Sequence, residues 1–180
     1  MRWPFSRRSD PSRVSHAWWQ QAEAASSEPT PAVIAALRAS MASGDDATDE
    51  WDRQTEFLEG LEHLAGVRAH PALPDVPTQH RVIGADRCHF IAPASLVGPG
   101  AVSGKLFLTS ERAIFVGASV VSWPWHRVRA AVRADRDLML TILGNGEPFG
   151  LRCNTYAEAL EAHDLASRLA QVAARRGGRP

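Results

Sequence analysis

The sequence predicts an α+β protein in two parts: a small all-α region, then a β-barrel of six or seven short strands with a capping helix at its C-terminal end. Three observations predict it. Apolar residues in the N-terminal part recur at three- and four-residue spacing, as on one face of a helix. From about residue 81 they recur instead in short alternating runs broken by Gly, Pro and Asn-Gly. Helical spacing then returns at the C-terminal end, behind a capping motif. A run of strands closed by one helix fits packed sheets whose open end the helix covers. The 180 residues, 44% of them hydrophobic, leave room for one ordinary domain and an appendage, or for two small domains.

Asp10-Pro11 is a helix start, with Asp as the cap and Pro at the first helical position. Val14, Trp18, Ala22 and Ala25 follow on one face, with Trp19 beside it. The adjacent tryptophans are expected to pack on the next helix. Thr30 caps a second helix that opens with Pro31, shows the stripe Val33, Ile34, Leu37 and Met41, and ends at Gly44. A third helix runs from after Asp45-Asp46 to about Ala65. Trp51, Phe57, Leu58, Leu61, Leu64 and Ala65 form its apolar side, and Asp49, Asp52, Glu56, Glu59 and His63 its polar side. Prolines 71, 74 and 77 without periodicity read as a semi-rigid linker. The expected organisation is a helical region over 1–66, with its first nine or so residues disordered, a linker over 67–80 and a barrel domain over 81–176.

In the second part, Arg87 to Ala92 reads as a strand and Pro93 to Ser103 as a loop. Gly104 to Gly117 is the stretch around which the rest is organised. It contains two apolar β-prone runs, Lys105–Thr109 and Ala113–Val116, joined by a Ser110-Glu111 corner with a glycine at each outer end. Val120 to Trp123 is a short strand stopped by Pro124. Trp125 to Ala134 alternates, with Val128, Ala130 and Val132 facing one way and Arg127, Arg129 and Arg133 the other. Leu138 to Leu143 reads as a strand buried on both sides, and Asn145-Gly146 as a hairpin turn into Phe149, Leu151 and Cys153. Thr155-x-x-Glu158 opens the final helix, which carries Leu160, Leu165, Leu169 and Val172 on its packing side and ends at Gly177-Gly178.

The pattern Gly104-x-Leu106-Phe107-Leu108-Thr109-x-x-Arg112-x-x-Phe115, followed by Trp125 and a closing helix, resembles the GRAM branch of the pleckstrin-homology (PH)-like superfamily. The resemblance covers residues 81–175. It implies a seven-stranded barrel with a C-terminal capping helix, a role in binding lipid head groups or peptides, and no catalysis. In lipid-gripping members of that superfamily the loop between the first two strands carries cations. Here Pro93 to Ser103 has no Lys or Arg, which argues against a phosphoinositide grip.

Charge is uneven although it sums to zero: residues 1–80 hold seven Arg/Lys against twelve Asp/Glu, and residues 81–180 thirteen against eight. The matching repeats of a helix and a strand allow Asp52, Glu56 and Glu59 to pair with Arg127, Arg129 and Arg133 as an intramolecular partner helix. Arg127, Arg129, Arg133 and Lys105 are the candidate binding residues. Arg2, Trp3, Phe5, Arg7 and Arg8 form a basic, aromatic tail suited to an anionic membrane.

The sequence therefore points to a non-catalytic adaptor for a protein or peptide, with peripheral association to anionic lipid as the alternative. A location in the cytoplasm is expected, with no transmembrane segment and no secretion signal. Nucleic acid is not an expected partner, because the basic excess is mild and no recognition motif is present. No catalytic residue, metal site or cofactor is expected: the histidines lack ligand spacing, and neighbouring Cys88 and His89 point to opposite strand faces. Cys88 and Cys153 are expected to be buried thiols, with a bridge between them left open.

Overall fold

Helical spacing in the N-terminal part yields three helices, and alternation in the C-terminal part yields seven strands and a fourth helix. The computed structural model describes residues 11–41, 48–98, 100–145 and 147–177. It divides into two compact units, Met1–Ala65 and Gly66–Pro180.

In the first unit α1 spans Pro11–Ala25, α2 spans Pro31–Ala39 and α3 begins at Thr48 and continues to Arg68. Thr30 caps α2 by accepting the Val33 N–H at 3.3 Å, as its position before Pro31 predicts. The helix ends at Ala39, so Met41 lies beyond it, and the expected stop at Gly44 falls outside the described residues. Trp18 is buried and donates its indole N–H to the Leu37 carbonyl at 3.1 Å. Both Trp18 and Trp19 meet Phe57 edge-on, at 6.3 and 5.4 Å between ring centroids. The adjacent tryptophans thus tie α1 to the other helices of this unit. Trp51, expected on the apolar side of α3, is half exposed.

In the second unit the strands are β1 (Cys88–Val97), β2 (Ser103–Thr109), β3 (Arg112–Val116), β4 (Val120–Pro124), β5 (Val128–Ala134), β6 (Asp137–Ile142) and β7 (Phe149–Cys153). A 3-10 turn, Trp125–Arg127, joins β4 to β5, and α4 spans Tyr156–Gly177. All pairings are antiparallel, in the order β4-β3-β2-β1-β7-β6-β5. This is a PH-like fold, but the sheet does not close by hydrogen bonding: β4 and β5 remain its two edges. The 3-10 turn connects these two edges in sequence, and α4 packs most heavily on β5 and on that turn.

Three expectations change in detail. β1 runs five residues past Ala92, through Pro93 to Val97. The Leu96 N–H bonds the Val102 carbonyl, so the ladder parity turns the Pro93 nitrogen away from β2. Pairing with β7 begins only at Ala94, and the proline therefore costs no ladder bond. The Asn145-Gly146 turn becomes a longer connection between Ile142 and Phe149, and Gly146 itself lies outside the described residues. The proline-rich stretch packs on the sheet. Val76, Val82 and Ile83 cover Cys88, Phe107 and Ile114 on the outer face, and the Val76 N–H bonds the Cys88 carbonyl at 2.8 Å.

The inner face forms the main core, with Leu106, Leu108, Phe115, Trp123, Trp125, Leu138, Leu140 and Leu151 packed under Leu165 and Leu169 of α4. The capping box is formed in full: Glu158 N–H donates to Thr155 Oγ1 at 3.2 Å, while the Glu158 carboxylate accepts Thr155 N–H at 3.1 Å and Asn154 N–H at 2.9 Å.

Candidate functional site

The β2–β3 corner is where the fold is pinned. Thr109 Oγ1 donates to the Arg112 carbonyl at 2.9 Å and accepts the Arg112 N–H at 3.1 Å. Ser110 N–H reaches the Arg87 carbonyl at 2.9 Å, and Trp125 donates its indole N–H to the Thr109 carbonyl at 2.7 Å. A bulge in β1 at His89 aims that buried ring at the same corner. Its Nδ1 lies 2.5 Å from the Pro74 carbonyl, which can only accept, so Nδ1 carries the hydrogen. Nε2 then accepts the Ser110 hydroxyl at 2.9 Å. This Ser–His pair is a strut that fastens the 71–86 stretch to the corner.

The opposite end of the sheet carries the connections 98–102, 117–119 and 143–148. Gly104 and Gly117 bring two of these together. A Cβ on Gly104 would sit 2.2 Å from the Val116 carbonyl oxygen and 2.8 Å from the Phe115 ring, and one on Gly117 would meet Phe115 at 2.8 Å and Val102 at 2.9 Å. Glycine at both ends of the hairpin therefore lets Phe115 fold inward and Val102 close over it. Between the first and last of these connections lies a cleft of about 630 Å³. Its apolar lining includes Leu96, Val97, Val102 and Phe149, and its polar lining Asn145 and Glu147. Glu147 is the only charged residue among the described lining. Around this end Val97, Val120 and Leu143 are 45%, 56% and 50% exposed.

The structure does not gather the arginines expected on one strand face. A bulge between Val128 and Ala130 inserts one residue, Arg129, and inverts the alternation beyond it. Val128 and Ala131 pack toward the core, while Ala130 and Val132 turn outward, which corrects the expected grouping of Val128, Ala130 and Val132. Arg127 donates to the Leu143 carbonyl at 3.1 Å at the base of the 143–148 connection. Arg129 is exposed at the bulge. Arg133, half-buried, donates to the Asp135 carbonyl at 2.6 Å. Leu143 and Leu138, the partners of Arg127 and Arg133, are five residues apart, which is about 17 Å along a strand. Lys105 is exposed on β2, four strands from β5 and so about 19 Å across the sheet.

Asp52 and Glu59 are exposed on α3 and Glu56 is half-buried. The repeat match that would set these carboxylates against Arg127, Arg129 and Arg133 presupposes a single arginine face, and the bulge removes it. Arg2, Trp3, Phe5, Arg7 and Arg8 lie outside the described residues. The cleft residues Glu147 and Phe149 were not legible as a site. In sequence they belong to a hairpin turn and a core strand, and only the missing cations of the first loop hinted at an unusual end.

Cys88 belongs to the outer cluster and Cys153 to the inner core, so the sheet separates them. Burial raises both thiols, that of Cys153 to about 12. On α4, burial lowers His163, and Arg133 beside it acts in the same direction, while a hydrogen bond to the Ala131 carbonyl raises it.

A comparison with protein-family models finds no match, and no curated protein matches the chain. Among solved structures the chain is similar to the C-terminal domain of an unknown protein from Leishmania infantum, at 12% identity and a TM-score of 0.43, covering 49% of this chain and 89% of that one. It is also similar to the Vps36 N-terminal PH domain, at 14% identity and a TM-score of 0.45, covering 55% and 87%. A third similarity is to the PDZ-RhoGEF DH/PH domains in complex with GTP-gamma-S activated RhoA, at 9% identity and a TM-score of 0.43, covering 95% of this chain and 58% of that one. The PH-like assignment rests on the strand order and the closing helix described above.

Proposed function

We propose that this protein is a non-catalytic module that binds a protein or peptide at the loop end of its PH-like sheet. The partner seats an apolar side chain, next to a basic one, in the cleft between the 98–102 and 143–148 connections. One observation carries this reading: the cleft is floored by Leu96, Val102 and Phe149, and Glu147 is the only charge on its described lining. An apolar floor releases water when a side chain enters. A carboxylate at the rim attracts a cation and repels a phosphate.

Selection from a random peptide display library, with the full chain as bait, tests the reading. Enriched peptides should carry an aliphatic or aromatic residue beside Lys or Arg, and Glu147→Arg should weaken their binding tenfold or more. Enrichment that is indifferent to Glu147→Arg removes the cleft from the account.

Exposed Val97, Val120 and Leu143, with Arg127 and Arg129 toward the same end of β5, favour a second reading: this end rests on an anionic membrane. Glu147→Arg separates the two readings by sign. It weakens peptide capture but strengthens pelleting with phosphatidylserine vesicles, and that pelleting should fall with salt.

A further inference from the structure

The two edges of the sheet are not equivalent. β5 carries the devices by which natural sheets discourage strand addition: a bulge, exposed Arg129 and a covering helix. Counting from its hairpin to β6, the backbone groups of Ala131 and Arg133 point away from the ladder, and His163 of α4 hydrogen-bonds the Ala131 carbonyl. β4 has no bulge, no exposed arginine and no covering helix; its protection is confined to its short length and to Pro124 at its C-terminal end. Val120-Val121-Ser122-Trp123 has no charged residue, its pairing with β3 runs from Arg112↔Pro124 to Val116↔Val120 without a shift, and α4 does not lie along it.

Two bonds fix the parity of β4. Gly117 N–H donates to the Ser119 carbonyl and Trp125 N–H to the Glu111 carbonyl, so Val121 and Trp123 bond β3. The N–H and C=O groups of Val120 and Ser122 therefore point away from the sheet, and both residues are exposed.

We propose that β4 is a strand-addition edge and that its occupant is β4 of a second copy of this chain, paired antiparallel about a two-fold axis at Val121. That axis sets Val120 opposite Ser122 of the other copy, and Ser122 opposite Val120. The N–H and C=O groups of Val120 and Ser122 in each strand then meet their counterparts in two hydrogen-bonded pairs, while Pro124, on the same outward parity, has no N–H to add. Val121 meets its own mate at the non-bonded position between them, where Cα atoms approach to about 4.5 Å. No charge faces a like charge across the seam, and the formal net charge of zero leaves no long-range repulsion between copies. A five-residue strand is a small interface beside the roughly 1,600 Å² of a stable complex. The pairing is accordingly weak, with a dissociation constant on the order of 100 μM.

Sedimentation equilibrium of the full chain tests it. The weight-average mass should rise from 19.6 kDa at low micromolar concentration toward twice that value in the high micromolar range. Over the same range, amide exchange at Val120 and Ser122 should slow while exchange in β5 is unchanged. Ser122→Pro removes one outward donor while keeping an extended backbone, and Val120→Lys puts a charge at an exposed position beside the axis. Each should weaken association tenfold or more with the far-ultraviolet circular dichroism unchanged. Val120→Lys keeps the test valid if Ser122→Pro disturbs the strand. A chain that stays monomeric throughout overturns the proposal, as does a dimer that tolerates both substitutions. Protection of Val120 and Ser122 only when an extended peptide is added would assign the edge to a peptide and overturn the second-copy reading.

Discussion

At the corner end of the sheet the backbone N–H groups of Ser110, Glu111 and Arg112 all find acceptors within the fold, in the Arg87 carbonyl and Thr109 Oγ1. At the loop end three aliphatic side chains stand in solvent around a cleft with one carboxylate. Both ends belong to the same strands, so the hydrophobic pattern along each strand does not explain the difference. The corner end spends its polar groups internally and fixes the geometry. The loop end leaves apolar surface bare, which a fold tolerates where something else is to cover it. Substitutions at the corner should therefore cost stability, and substitutions at the loop end should cost binding.

The largest effect is expected for Trp125→Ala. The side chain is buried in the main core, and its indole N–H holds the Thr109 carbonyl. Truncation should destabilise the fold by about 3–5 kcal/mol, read from the shift of the urea midpoint at constant slope. A cost under about 1 kcal/mol would erase the distinction between the two ends. Thr109→Val comes next. It keeps the shape of a fully buried residue but deletes the hydroxyl that serves both backbone groups of Arg112. Leaving those groups unpaired should cost about 1–3 kcal/mol in the same assay, without rearranging the core.

The corner was legible in advance and the loop end was not, for a physical reason. Ser110-Glu111 and the Thr155/Glu158 box are local signals, each decided by residues a few positions apart, whereas Gly104 and Gly117 mark the far ends of the hairpin without showing that a cleft lies beside them. The bulge at Arg129 has no such mark. Arg-Ala-Ala-Val-Arg continues an alternation by eye, and only pairing with β6 shows that one residue is extra. The same holds for the stretch that carries Val76 and Ile83. Its prolines read as a linker, because nothing local says that Phe107 and Ile114 need a cover on the outer face. The cleft is the product of two connections far apart in sequence, and no window of residues contains it.

Between the two ends, α4 rests on β5 through His163, and pH probes that contact. Burial first, then Arg133, lowers the His163 pKa below its ordinary value near 6.5; Asp164 opposes this shift, and Arg68 adds to it. Between the lowered folded value and 6.5 the unfolded chain binds more protons than the folded one. Stability therefore rises with pH across that window. The contribution is complete above pH 6.5 and is lost as pH falls through the folded value. His163→Gln, which still offers an N–H to the Ala131 carbonyl, should flatten the dependence of the urea midpoint on pH below 6.5. An unchanged slope would mean that other groups carry the acid sensitivity and that this contact is indifferent to charge.

The smallest effect on stability is expected at the loop end itself, and there the comparison is sharpest. Leu143 follows β6, is half exposed, and engages the fold through its backbone: its N–H bonds the Arg127 carbonyl at 2.8 Å and its carbonyl accepts from the Arg127 guanidinium. Leu143→Ser leaves both backbone contacts in place and removes only apolar surface that water already reaches. The midpoint should therefore move by no more than about 0.5 kcal/mol. If the bare aliphatic side chains serve a partner, the same substitution should lower peptide capture or vesicle pelleting several-fold. A variant that loses stability but keeps binding would invert the assignment and place the functional surface at the corner end.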